Sequence, residues 1–204
     1  MFMLGTMQRG SPKALAFTLI ELLIVITMIV ILMGLLFPAF RGVQDQAKKI
    51  QAKNDLTQIV TAVNAYYTEY GKYPLATDDS TISANADLFY ALRAVTSGTN
   101  ASNAANTRQI VFISPPDARD TTNPRSGIGG DGQYYDPWGK PYNVAIDANY
   151  DNQITNPYGR NSGAGDDPLR QGVIAWSLGK DGALGDKTKN DNKFTSSDDV
   201  ISWQ

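Results

Sequence analysis

The chain has 204 residues, with 18 basic and 20 acidic side chains and a formal net charge of −2 at pH 7. It contains no histidine and no cysteine, which excludes disulfides, nucleophiles built on Cys or His, and zinc sites that use those ligands. The composition still allows acid–base catalysis by carboxylates and the binding of hard cations such as calcium by oxygen ligands. The near-neutral charge offers no basic surface for nucleic acid.

The first forty residues combine a short basic leader with a long apolar stretch. Arg9 and Lys13 stand in the leader, Ala14-Leu15-Ala16 follows, and residues 22–40 carry no charge. Nineteen helical residues at about 1.5 Å each extend over about 28 Å, close to the thickness of about 30 Å of the hydrocarbon layer. The pattern predicts a transmembrane helix with a cytoplasmic N-terminus, because the basic residues precede the span.

Glu21 is the unusual residue of this segment, because a charge in a membrane helix costs about 2.5–3.5 kcal/mol on insertion scales. One interpretation places Glu21 at the headgroup boundary, where the charge is merely tolerated. The other pairs it with a positive charge in an assembled state, such as the α-amino group of a neighbouring chain that begins at Phe17.

The run Phe17-Thr18-Leu19-Ile20-Glu21-Leu22, followed by an apolar helix, resembles the processing motif of the type IV pilin and type II secretion pseudopilin superfamily. The resemblance implies cleavage between Ala16 and Phe17 by a prepilin peptidase, N-methylation of Phe17, and a role for Glu21 in assembly. Ala16 departs from the family's pattern, which has glycine before the cut, so slower processing is expected.

Beyond residue 41 the sequence turns polar but keeps apolar residues at steps of three and four up to Tyr70, with no Gly or Pro after Val43. This period predicts one helix from about Thr18 to Tyr70, about 80 Å long, whose second half is amphipathic and packs on a sheet. Gly71 offers a C-cap, and Pro74 prevents the helix from continuing.

Three extended runs follow in the second half of the chain: residues 142–146, 172–178 and 198–203. The turn Asp136-Pro137-Trp138-Gly139-Lys140-Pro141-Tyr142 precedes the first of them. The turn and the strands resemble, in order, the major pseudopilin of the general secretion pathway protein G family. The Gly-rich residues 127–132 satisfy G-x-G-x-x-G, but no strand precedes them and no helix follows, so they are interpreted as a turn.

The predicted fold is α+β, with a long N-terminal helix, transmembrane in its first half, packed on a small antiparallel sheet. Residues 1–16 are expected to be a cleaved leader, 17–40 the membrane and filament-core helix, 41–71 its amphipathic half, and 72–204 the globular domain. With these divisions, the resemblance implies a single-pass inner-membrane protein with a periplasmic C-terminal domain.

Acidic side chains cluster near the end of the chain, and the simplest interpretation is a solvated acidic loop. In the major pseudopilin this loop binds calcium, and the resemblance implies the Leu178 carbonyl, Asp181, Asp198 and Asp199 as ligands. A second candidate, residues 147–154, matches the first half of an EF-hand-type loop, but Tyr158 stands where the bidentate Glu is expected. A polar hairpin turn is favoured there.

The resemblance implies a structural protein and no enzyme: a homo-oligomeric subunit of a periplasmic pseudopilus that drives protein export by type II secretion. Its expected partners are prepilin peptidase, minor pseudopilins and the inner-membrane assembly platform. The alternative is a type IV pilus subunit for adhesion, motility or DNA uptake. A membrane-tethered hydrolase with paired carboxylates about 5–9 Å apart is the hypothesis from another class, and no sequence motif nominates such a pair.

Overall fold

The structure is a computed structural model that describes residues 17–75, 78–79, 81–189 and 191–204; the side chains of residues 35–41 lie outside the described part. The chain divides into two compact units, the first ending at Gln44 and the second spanning Asp45–Gln204. Helix α1, Leu19–Tyr70, is shared between them. The long helix predicted from about Thr18 to Tyr70 is therefore confirmed.

Helix α1 ends where the sequence predicts. Gly71 adopts the left-handed conformation with φ of 67°, and its amide donates to the Tyr67 carbonyl at 2.8 Å. Glycine has no Cβ to oppose this conformation, so it terminates the helix at little cost.

No helix in the described part of the chain has both the length and the apolar character that crossing a membrane requires. The transmembrane segment predicted for residues 17–40 is therefore not confirmed. Within the described side chains the apolar stretch runs only from Phe17 to Gly34.

The second unit carries the sheets of the α+β fold. Strand β1 is Thr81–Ile82, helix α2 is Ala86–Leu92, β2 is Gly127–Ile128, β3 is Tyr134–Tyr135, β4 is Asn143–Ile146, β5 is Val173–Ser177 and β6 is Val200–Ile201. The described residues form an antiparallel sheet in the order β1-β4-β5-β6 and a separate β2-β3 ladder. The Gly-rich residues 127–132 form β2 and its turn to β3, so they open no helix.

The central strands β4 and β5 are buried on both faces. One face packs on α1 and α2 in a core that contains Ala52, Leu56, Ile59, Val63, Tyr66, Leu88, Phe89, Val144, Ile146, Val173 and Ala175. The other face is covered by the connection between β4 and β5, which supplies Ile154, Tyr158, Ala164 and Leu169. The sequence predicted the first layer and missed the second.

Candidate cation site

The three acidic residues predicted as ligands lie together at one end of the sheet. Strand β5 ends at Ser177 and pairs there with Val200 at the start of β6. Asp181 follows β5 and the pair Asp198–Asp199 precedes β6, so the antiparallel pairing brings them to the same edge. One carboxylate oxygen from each lies within 4.8 Å of the others.

Asp199 is the buried member, with only 6% of its surface exposed. Its Oδ2 accepts hydrogen bonds from the Tyr158 hydroxyl and the Gly185 amide, both at 2.8 Å. Its buried Oδ1 has no hydrogen-bond partner among the described residues. Burial, with smaller repulsion from Asp198 and Asp181, raises the pKa of Asp199 to about 6. The ionised carboxylate of Asp199 is thus destabilised by burial and by its neighbours, and a bound cation would stabilise it.

The two other carboxylates are held by backbone amides of the loop. Asp198 Oδ2 accepts the Lys180 amide at 2.6 Å, and Asp181 accepts the Ala183 and Lys187 amides at 2.9 and 3.2 Å. The backbone at Gly179, with φ of 60°, lies against the Asp198 side chain. A Cβ at this position would be 2.7 Å from the Asp198 carboxyl carbon, too close for any residue but glycine. Asp181 and Asp198 face an open cavity of about 410 Å³.

The Leu178 carbonyl, the fourth predicted ligand, accepts the Gly182 amide at 3.1 Å. A carbonyl has two lone pairs, so one stays available to a cation. All four predicted ligand groups are oxygens, which suits a hard cation, and calcium takes six to eight oxygens, water included. Asp199 Oδ1, which accepts no hydrogen bond among the described residues, keeps its lone pairs available to such an ion. Calcium binding itself stays a prediction.

In the second candidate loop, residues 147–154, the carboxylates accept hydrogen bonds from backbone amides of the loop itself. Asp147 accepts the Asp151 and Asn152 amides at 3.2 and 2.7 Å, and Asp151 accepts the Gln153 amide at 2.9 Å. Asn152 adopts the left-handed conformation with φ of 60°. Among the described residues the acidic side chains of this loop join no group of three that could hold a metal.

The processing segment is described from Phe17 onward, so Ala16 lies outside the described residues. Thr18 donates from its amide and hydroxyl to Glu21 Oε2 at 2.9 and 2.7 Å, and the Glu21 amide donates back to Thr18 Oγ1 at 3.3 Å. This reciprocal pattern is a capping box. The spacing Thr-x-x-Glu before an apolar run is its sequence signal, which the interpretation of Glu21 as an assembly residue overlooked.

A cavity of about 880 Å³ bears on the hydrolase alternative, because two carboxylates line it, Asp117 and Asp120. Asp117 is exposed and lies 3.5 Å from the Arg93 guanidinium. Hydrogen bonds from the Asn123 and Thr122 amides lower the pKa of Asp120. A glycosidase needs one carboxylic acid with a raised pKa, so this cavity does not favour that chemistry.

Comparison with known proteins finds similarity over part of the chain. The chain is 37% identical over 65 residues to the type IV major pilin protein PilA of Myxococcus xanthus (strain DK1622). The match covers 32% of this chain and 30% of the relative, so it spans less than a third of the relative's length. No family model matches the chain, and no solved structure does.

Proposed function

We propose that the chain belongs to the type IV pilin superfamily and is a structural subunit of a helical filament, not an enzyme; its similarity over 65 residues to a type IV major pilin supports the family. The supporting observation is the first part of α1. Every large apolar side chain from Phe17 to Met33 is at least 45% exposed. Contiguous apolar surface of this extent is typical of membrane and protein contacts, and a lipid bilayer and then a bundle of the same helices would cover it in turn.

The proposed life cycle rests on that surface and on the resemblance of residues 17–22 to the processing motif. The precursor is a single-pass inner-membrane protein with its C-terminal unit in the periplasm, and prepilin peptidase cuts it between Ala16 and Phe17. The released helices then form the filament core, where Glu21 meets the Phe17 amine of a neighbour. The assembly platform and minor pseudopilins act as partners.

Within the superfamily, we propose a pseudopilus subunit of type II secretion. The support is the acidic cluster at the β5–β6 edge, together with the Asp136–Tyr142 turn that resembles the major pseudopilin. The second candidate, a type IV pilus subunit, is supported by the name of the matched relative, a major pilin.

We further propose that Asp181, Asp198, Asp199 and the Leu178 carbonyl bind one calcium ion. Bound there, the ion would join the loop after β5 to the residues before β6 and offset the repulsion among three carboxylates. A chain without disulfides would thereby gain a cross-link near its last strand.

Deletion of the gene in its host tests the proposal. Loss of protein export with surface fibres intact supports the pseudopilus, and loss of surface fibres with export intact supports the pilus. If neither changes and the purified chain forms no filaments, the filament proposal is wrong. Mass spectrometry of the purified protein reads the processing step directly, and the expected N-terminus is a methylated Phe17.

A further inference from the structure

The connection between β4 and β5 reaches into the cation site through one side chain. Tyr158 is 5% exposed, and its hydroxyl donates to Asp199 Oδ2 at 2.8 Å across 41 positions of sequence. Its ring packs edge-on against Phe194, with centroids 5.5 Å apart, and lies 6.2 Å from the Trp203 ring. The ring is thus held by packing, and the hydroxyl has a fixed position.

The fixed Tyr158 hydroxyl leaves the two carboxylate oxygens of Asp199 unequal as ligands for an ion. Oδ2 accepts two hydrogen bonds, from Tyr158 and from the Gly185 amide, which occupy both of its lone pairs. Oδ1 accepts none among the described residues. Rotating the carboxylate would break both bonds to Oδ2 inside a buried environment, where an unpaired polar atom is costly.

We propose that Tyr158 is a positioning residue of the cation site, which holds Asp199 so that Oδ1 alone faces the ion. This inference rests on the proposed calcium site. Asp199 is then a one-oxygen ligand, and the remaining positions of a six- to eight-coordinate calcium fall to Asp181, Asp198, the Leu178 carbonyl and water. Removing a group that hydrogen-bonds to a metal ligand and orients it typically lowers metal affinity about 10- to 100-fold.

The test is calcium titration by calorimetry of the full chain in detergent micelles. Tyr158→Phe keeps the packed ring and removes only the hydroxyl, and we expect its calcium affinity to fall about 10- to 100-fold. Tyr66→Phe is the matched control, because it also loses a buried hydroxyl with a hydrogen bond, here to the Ala105 carbonyl at 2.6 Å. Its calcium affinity should equal that of the unchanged chain.

Terbium luminescence supplies a readout that a purely structural role would leave unchanged. With terbium bound in place of calcium and excited directly, the lifetimes in H₂O and D₂O count the waters on the ion. Once Asp199 is no longer oriented, we expect about one more bound water in Tyr158→Phe than in the unchanged chain, because water fills a vacant ligand position.

The outcomes separate this inference from the calcium proposal. If the unchanged chain binds calcium and Asp181→Ala abolishes binding, but Tyr158→Phe binds as tightly as before with the same water count, the positioning role is wrong and the calcium site stands. An equal loss of affinity in Tyr66→Phe would also overturn it. If the unchanged chain binds no calcium, both the calcium site and the positioning role of Tyr158 are wrong.

Discussion

Burial raises the pKa values of Asp55, Asp136 and Asp199 above their ordinary range. Asp136 is held by the Ser177 hydroxyl and by backbone amides of its own turn, and Asp55 accepts the Tyr142 hydroxyl at 2.8 Å. Asp199 alone among the three keeps a buried oxygen without a partner among the described residues. Burial is thus common to all three, and the proposed cation site rests instead on the unpartnered Asp199 oxygen beside two further carboxylates.

Asp181→Ala should abolish stabilisation by calcium. Calcium at a hundred times its Kd adds about 2.7 kcal/mol to the free energy of unfolding of a chain with one site. At about 2–4 °C per kcal/mol for a chain of this size, the melting temperature should rise by about 5–10 °C.

Thermal melts of the unchanged chain and of Asp181→Ala, each with calcium and with chelator, measure this shift. Asp151→Ala is the control, because it removes a carboxylate from the other acidic loop, and it should keep the full shift. A shift retained in Asp181→Ala but lost in Asp151→Ala would move the site to the loop after β4.

Asp55 should make the chain less stable as the pH rises. Burial raises its folded-state pKa above the unfolded value near 3.8, so the fold favours the protonated carboxyl. Its contribution is most favourable below pH 3.8 and is lost as the pH rises through the folded-state pKa. Asp55→Asn keeps an oxygen that accepts the Tyr142 hydroxyl and removes the titration.

Denaturant unfolding in chelator between about pH 4 and pH 7 compares the two chains. Relative to Asp55→Asn, the unchanged chain should lose free energy of unfolding across this interval. Asp45→Asn, which alters an exposed carboxylate on the same helix, should follow the unchanged chain. A constant difference between the unchanged chain and Asp55→Asn at every pH would contradict the expectation.

The acidic residues of the candidate site could be predicted from the sequence, but Tyr158, whose hydroxyl bonds to Asp199, could not. Asp181 and Asp198–Asp199 stand in one loop rich in carboxylates, a local pattern that a family resemblance could point to. Tyr158 lies 41 positions before Asp199, and only the packing of the β4–β5 connection brings them together. The capping box of Thr18 and Glu21 was local and could have been found from its spacing alone.

Among the secondary-structure elements, local sequence signals set the bounds of α1, whereas tertiary packing set the bounds of the strands. The apolar period, the C-cap glycine and the following proline fix the end of α1 within the sequence itself. The closing strand was predicted over residues 198–203, whereas β6 spans Val200–Ile201 and the Ser202 amide still donates to the Ala175 carbonyl of β5. The layer formed by Ile154, Tyr158 and Leu169 has no regular period, so no pattern of helix or strand could reveal it.

Lys53 joins α1 to β6 and the residues that follow it. Its ammonium donates to the carbonyls of Ile201, at 2.8 Å, Ser202 and Gln204. A charged donor contributes about 1.5–3 kcal/mol to a hydrogen bond that it makes. Because 1.4 kcal/mol is a factor of ten, Lys53→Met should lower the protection of the amides of residues 200–203 about tenfold or more.

Hydrogen exchange followed by mass spectrometry measures this protection. Lys49→Met is the matched control, because it removes an exposed lysine one turn earlier on α1 and should leave the exchange of residues 200–203 unchanged. Equal loss of protection in both variants would mean that charge on this part of α1, and not the contact to the carbonyls, holds the strand.

At the scale of the whole molecule, the two units differ in how their apolar residues are placed. The second unit buries its apolar residues on both faces of the central strands. The first unit exposes them, from Phe17 to Met33. The second unit thus has a core of its own, whereas the apolar side chains described in the first unit are exposed. This division is the physical basis for proposing a filament whose centre is made of copies of α1.

The charge of Glu21 should be needed for that assembly, apart from its role as a cap. Glu21→Gln is suited to separate the two, because Gln at this position of a capping box still accepts from the helix start while the negative charge is gone. The Phe17 amine of a neighbour would then stay uncompensated in an apolar core. An unpaired charge there costs about 2.5–3.5 kcal/mol, so the critical concentration for filament formation should rise about a hundredfold.

Sedimentation of filaments formed on detergent removal, from chains processed at Phe17, gives the critical concentration. Thr27→Val is the control, because the Thr27 hydroxyl donates to the Leu23 and Ile24 carbonyls of its own helix and its loss removes no charge. It should assemble like the unchanged chain. If Glu21→Gln also assembles at the unchanged concentration, the carboxylate charge has no role between subunits, and the cap that Glu21 forms with Thr18 is sufficient to explain its presence in an apolar helix.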